Sequence, residues 1–138
     1  MEMNNYNNMN QQQRDIVLSP NEYVFVQNNT NGSIKTYTGP TTITISAQDS
    51  LVVFDEKNKK FKTVQNLTEA KSLFVLPPEN WYAIVKNPTK DGSHPNVGAA
   101  SVAPELLYGR KVNIRGPVSF ALYPGQMAKV VKGHALRT

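Results

Sequence analysis

Apolar and polar positions alternate with a period of two along most of this chain, in short runs separated by Gly, Pro and Asn. Residues 110–125 read RKVNIRGPVSFALYPG. Val112 and Ile114 alternate there with Lys111, Asn113 and Arg115, and Val118, Phe120 and Leu122 alternate with Ser119, Ala121 and Tyr123. This is the pattern of half-buried strands. The stretch therefore predicts two strands hinged at Gly116-Pro117 and closed by Pro124-Gly125. An earlier stretch, IKTYTGPTT, repeats the device, with Gly39-Pro40 at the hinge and Ile43 and Ile45 alternating after it.

The two stretches align as copies. Gly39 and Gly116 are 77 residues apart, and the same shift lays Phe120 on Ile43, Leu122 on Ile45 and Val130 on Val53. Upstream, Pro20 and Pro78 are 58 apart, which lays Trp81 on Tyr23 and Ile84 on Val26. The difference between 77 and 58 is an insertion of 19 residues in the second copy, between Asn87 and Leu107. A repeat of this kind has to be found early, because it decides the fold. The expected class is all-β: two tandem small antiparallel modules, residues 14–64 and 73–138, behind a polar arm at 1–13.

Within the modules, strands are expected near residues 14–18, 23–27, 33–38, 42–46, 51–54, 61–64, 73–76, 81–86 and from 127 onward, with a break at Gly133. The NNTNG run at 28–32 signals a hairpin, since Asn-Gly tolerates positive φ. Between the modules, residues 66–70 have room for one helical turn and no more. The inserted loop, 87–107, is rich in Pro, Gly, Ser and Ala. A loop that long is usually functional or disordered, so its Ser93, His94, Val97 and Val102, together with Trp81 and Tyr82, are the candidate contacts with other subunits. Plain core packing is the competing role for Trp81.

Composition narrows the picture. A module of roughly 55–75 residues buries only about 60% of its unfolded-chain surface, so the copies should support each other. The Asn/Gln-rich start, MEMNNYNNMNQQQ, carries too little apolar surface to fold and is expected to be a flexible arm. It has neither the basic nor the apolar region of a signal peptide, and no apolar run approaches the ~20 residues of a membrane span. A cytoplasmic or virion-borne protein is expected.

The net charge is +5. Lys57, Lys59, Lys60 and Lys62 cluster near a hairpin tip beside Asp55 and Glu56, and Arg110, Lys111, Arg115, Lys129, Lys132 and Arg137 populate the second copy. No RNA-binding, helix-turn-helix or zinc-finger signature accompanies them. They read as solvated faces and as edge protection, because lysine discourages strand-to-strand aggregation. An acidic partner or nucleic acid is the alternative.

Candidate chemistry is sparse. The chain has no cysteine and two histidines, His94 and His134, neither in a metal-binding spacing. Asp91, Ser93 and His94 share one turn, but a catalytic triad draws rigidly held partners from separate elements. Three Asn-x-Ser/Thr matches, starting at Asn28, Asn31 and Asn66, are chance occurrences in an Asn-rich chain. No enzyme and no cofactor are expected.

The second copy reads Val75-Leu76-Pro77-Pro78, Trp81-Tyr82, Val85-Lys86-Asn87-Pro88, Arg115-Gly116-Pro117 and Phe120 through Gln126. The first copy carries Leu18-Ser19-Pro20, Glu22-Tyr23-Val24 and Thr38-Gly39-Pro40. This unit resembles the repeats of the major vault protein, over nearly all of the chain after the arm. The resemblance implies small antiparallel modules strung end to end and packed against neighbouring subunits in a hollow shell. The family's shoulder domain and long cap helix have no counterpart here. The resemblance therefore also accommodates a repeat used in a phage or viral particle. Homo-oligomerisation, or packing with other structural subunits, is the expected partnership.

Overall fold

The computed structural model describes residues 14–133. The predicted arm at 1–13, His134 and Arg137 lie outside the described residues. The chain forms β1 (Arg14–Leu18), β2 (Glu22–Asn28), β3 (Ile34–Thr38), β4 (Thr41–Ile45), β5 (Asp49–Asp55) and β6 (Lys60–Thr63). A helical turn, α1 (Leu67–Ala70), leads to β7 (Ser72–Leu73), β8 (Trp81–Lys86), β9 (Ala100–Val102), β10 (Lys111–Arg115) and β11 (Met127–Lys132). All pairings are antiparallel, in three sheets: β1-β4, β6-β5-β2-β3-β9 with β7 beside β2, and β10-β8-β11. The fold is all-β.

Side-chain alternation builds layers from these sheets. One face of β2 directs Val24 and Val26 into a core with Ile16 and Leu18 of β1, Ile45 of β4 and Leu51 of β5. The opposite face directs Tyr23 and Phe25 into a second core with Phe74, Phe120, Ala121, Leu122 and the buried Ala83 and Val85 of β8. The Tyr23 and Phe74 rings lie 6.1 Å apart, and Thr36 Oγ1 donates to the Leu122 carbonyl at 3.3 Å. The ribbon around Val75 and Phe120 is thus packed between the six-stranded and three-stranded sheets. Its counterpart in the first half, β1-β4, covers the far side of the six-stranded sheet.

The repeat is visible in the register. Tyr23 pairs with Thr38, and Tyr82 with Arg115. Phe25 pairs with Val52, and Ile84 with Lys129. Ile16 pairs with Ile43, and Val75 bridges Phe120. The downstream shift of 77 holds throughout, but upstream Tyr82 falls on Tyr23 and Asn80 on Asn21, a shift of 59 rather than 58. The insertion is accordingly 18 residues, the difference between 77 and 59. Matching Pro78 to Pro20 misplaces the turn by one residue. What the turn requires is a residue with positive φ, Asn21 at 69° and Asn80 at 71°, and Asn tolerates that region. Both expected hinges are present, with Gly39-Pro40 and Gly116-Pro117 in the cis form.

Two expectations change. The strand predicted at 118–123 reduces to the single Val75–Phe120 bridge. Its partner side carries Pro77 and Pro78, which have no N–H to continue a ladder; the same places in the first half carry Leu18, the last residue of β1, and Ser19. The strand predicted at 73–76 is split as well. Ser72 and Leu73 pair with Tyr23 and Glu22 of the first half, leaving Val75 for Phe120.

The helical turn forms where expected. Asn66 caps it, accepting from Thr68 N at 2.8 Å. Glu22, at the start of β2, accepts from Ser19 N at 2.8 Å and pairs with Lys71 at 3.2 Å. The Ser19 amide first, and Lys71 with it, hold its carboxyl below the usual carboxylate range.

Candidate assembly interface

The inserted loop is used within the chain. Its segment β9 adds to the outer edge of β3, with Ala100, Ser101 and Val102 opposite Tyr37, Thr36 and Lys35. Thr38 N donates to the Ala99 carbonyl at 3.0 Å, and Thr38 Oγ1 donates to the Asn96 carbonyl. Thr36 and Thr38 are fully buried as a result. The second half thereby closes the edge of the first.

Asn87 and Gln126 lock the base of the loop. Asn87, at φ 62°, donates from Nδ2 to the Gly125 carbonyl at 2.9 Å and accepts at Oδ1 from Gly109 N at 2.9 Å. Gln126 donates to the Asn87 carbonyl at 3.1 Å and accepts from Tyr123 N at 2.8 Å. Thr89 and Leu106 bridge just above. Sequence reasoning missed both side chains. A signal existed: in register, Asn87 falls on Asn28, and both sit where the long strand of each half ends.

The six predicted contact residues do not converge. Ser93 donates from its N–H (3.0 Å) and hydroxyl (2.7 Å) to Asp91 Oδ1. His94 instead stacks on Phe120, with ring centroids 4.3 Å apart and 26° between planes. Its Nδ1 is buried without a partner among the described residues, and burial holds the ring's pKa below the ordinary histidine value. A Ser-His relay is therefore not assembled. Beside this ring, Val85, Pro88, Thr89, Val112, Ile114 and Gln126 line a mostly apolar pocket of about 260 Å³. Val97 and Val102 are exposed, at 65% and 69%, on the part of the loop that covers β3.

Trp81 and Tyr82 lie on the three-stranded sheet. Trp81 is half-buried on the core side, with Lys132 Nζ 5.8 Å from its ring centroid. Tyr82 is on the outer face with Ile84, and in register with it lies Val131 of β11. In the first half the equivalents of Tyr82 and Ile84 are Tyr23 and Phe25, exposed by only 5% and 9% under the next ribbon. On the second sheet, Tyr82, Ile84 and Val131 remain half-exposed, and no described residue pairs with the free side of β10.

Charge distinguishes the two faces. In register, Lys111, Asn113 and Arg115 of β10 stand where β3 has Ile34, Thr36 and Thr38. Lys86 stands where β2 has Gln27, and Lys129 where β5 has Val52. Four cations thus rim an apolar strip on the second sheet, at positions that are uncharged in the first. No three His, Asp or Glu side chains converge among the described residues, and none of the described helices is long and apolar enough to cross a membrane.

No family model and no curated protein matches this chain.

Proposed function

We propose that this chain is a non-enzymatic structural module that packs with other protein subunits in a large assembly, a shell or a virus-like particle. The observation that supports it most directly is the outer face of the β10-β8-β11 sheet. The same face in the first half is buried under the following ribbon and its edge under β9, whereas here Tyr82, Ile84 and Val131 stay half-exposed. Each half is thus a unit whose apolar face is completed by its neighbour, which is how repeat arrays and their oligomers gain stability. The resemblance to vault-shell repeats accords with this reading.

The cations rimming the face favour a second reading, an adaptor that docks on an acidic partner. Size exclusion with light scattering, over a range of concentration at low and high salt, separates the two. Self-assembly gives a mass that climbs with concentration and falls back in Ile84→Glu, which puts a charge in the middle of the strip. A single-chain mass under every condition overturns self-assembly and leaves the adaptor.

A further inference from the structure

We infer that the free edge of β10 is a strand-acceptor site for an extended, acid-bearing segment of a partner protein, with carboxylates spaced to meet Lys111 and Arg115. This deepens the reading above by naming the chemistry of one contact in the assembly, and it rests on that reading only for the partner's being a structural subunit.

Three observations carry it. First, the equivalent edge in this same molecule is already a strand acceptor. β3 takes β9 there, with Ser101 opposite Thr36 and the Ala99 carbonyl accepting from Thr38 N. In antiparallel ladders, alternate residues direct both backbone groups to the same neighbour. Asn87 N bonds to Arg110 O and Gly116 N to Trp81 O, so Val112 and Ile114 serve β8. The N–H and C=O groups of Lys111, Asn113 and Arg115 point to the open side, as those of Thr36 and Thr38 point to β9.

Second, this edge selects against a second copy of itself. Antiparallel pairing of two β10 strands about Asn113 would set Lys111 opposite Arg115 in both halves. Like charges directly opposite are destabilising, and charged edge strands resist self-pairing. Third, the same cations favour one kind of strand. A segment in the register of β9 would place one residue opposite Arg115, one opposite Asn113 and one opposite Lys111. Acids at the outer two positions and a small residue between them match the edge in charge and in space. Main-chain bonds then give affinity and the two ion pairs give register, the usual logic of strand addition. A nucleic-acid backbone offers charge and acceptor oxygens but no N–H donors, so it would leave the outward carbonyls of Lys111, Asn113 and Arg115 unpaired.

The test uses the full chain with a C-terminal Gly-Ser linker carrying Asp-Ala-Ser-Val-Asp. This is the β9 segment with its flanking Ala99 and Ala103 exchanged for acids. Tethering supplies an effective concentration of about mM, so weak intrinsic affinity does not hide binding. A control carries Lys-Ala-Ser-Val-Lys. The readout is amide chemical shift and hydrogen exchange at Lys111, Asn113 and Arg115. The acidic tether is expected to shift these amides and slow their exchange, the lysine tether to leave them unchanged.

Two variants keep the result specific. Asn113→Pro removes an outward N–H while leaving the β8 ladder intact, since proline is tolerated on an edge with its nitrogen facing out; it should abolish the shifts. Lys111→Glu with Arg115→Glu should transfer the response to the lysine tether. Equal responses to both tethers, no response at these amides, or stronger perturbation of the same amides by an oligo-dT strand would each overturn the proposal. The outcome is independent of the light-scattering result: a chain that never self-associates but whose β10 edge takes the acidic strand refutes self-assembly alone.

Discussion

Replacing Asn87 with alanine is expected to be among the most costly single changes in this protein, although the residue makes no part of any strand. Three effects add at one position. The buried Gly125 carbonyl loses its donor at 2.9 Å, and a buried acceptor left unpaired costs about 1–3 kcal/mol. Gly109 N loses its acceptor, but Gly109 is exposed and water replaces most of that bond, leaving about 0.5–1.5 kcal/mol. The backbone sits at φ 62°, where a Cβ without a compensating side-chain bond costs about 1–2 kcal/mol. Asn87→Ala should therefore destabilise by about 2.5–6.5 kcal/mol, measured as a lower midpoint in urea at constant slope. Asn87→Gly removes the same hydrogen bonds but not the backbone freedom, and should recover about 1–2 kcal/mol of the loss. Hydrogen exchange should quicken first at Lys90 and Leu107, whose amides close the base of the loop on Glu105 O and Pro88 O. A loss below about 0.5 kcal/mol for Asn87→Ala, the level of an ordinary surface change, would refute the lock at the base of the loop. So would a glycine variant as weak as the alanine variant.

Three further outcomes follow from the packing and the titrating groups. Alanine at Gly39 or Gly116 would drive a methyl into the carbonyl oxygens of Ser19 or of Pro77 and Pro78; each should cost about 1–3 kcal/mol or more by overpacking, read in urea unfolding. The Phe120 ring is buried and stacked with His94. Because burial keeps the His94 pKa below its ordinary value, the unfolded chain binds the extra proton, and stability is full above about pH 6.5 and declines as the pH falls below it. His94→Phe should flatten that part of a pH-stability profile, and an unchanged profile would exclude the ring as its source. At the alkaline end, burial pushes the Tyr23 hydroxyl up to about 12; stability should decline as pH rises from 10 towards 12, and Tyr23→Phe should remove the decline.

Much of the architecture was legible because each half states it in the strongest local signals. Period-two alternation marked Lys111–Arg115 and Tyr23–Gln27 as strands, and the paired Gly-Pro hinges exposed the duplication. The 77-residue shift survived because strand registers obey it. The upstream shift was off by one because a shared proline is a weaker marker than the positive φ shared by Asn21 and Asn80. Val118 to Tyr123 alternates like a strand, yet alternation cannot report that the facing residues, Pro77 and Pro78, have no N–H to give.

The contact surface was less legible, for a physical reason. Ala100-Ser101-Val102 has only three residues, too few for a period to emerge, and its pairing with β3 joins residues more than 60 positions apart. The loop's Pro, Gly and Ser content identified it as unusual without saying which surface it served. Only the threonines of β3 hinted at it, since the hydroxyls of Thr36 and Thr38 need partners when buried. The face at Tyr82 was reachable from sequence, through the alignment of Tyr82 with Tyr23 once the turn is placed on asparagine.

The pairing of β9 with β3 has a consequence for how the protein is made. Synthesis runs from the N-terminus, so β1 to β6 emerge long before Ala100–Val102 leave the ribosome. Until then the first sheet has an open edge at β3, and the Tyr23–Phe25 face waits for Phe74 and for Phe120 to Leu122. A nascent chain halted near residue 64 therefore exposes both an unpaired strand and an aromatic surface, the features that promote aggregation of incomplete β-proteins. The last strand to join the first sheet comes from beyond β8, and completion of the first half is set by translation of the second.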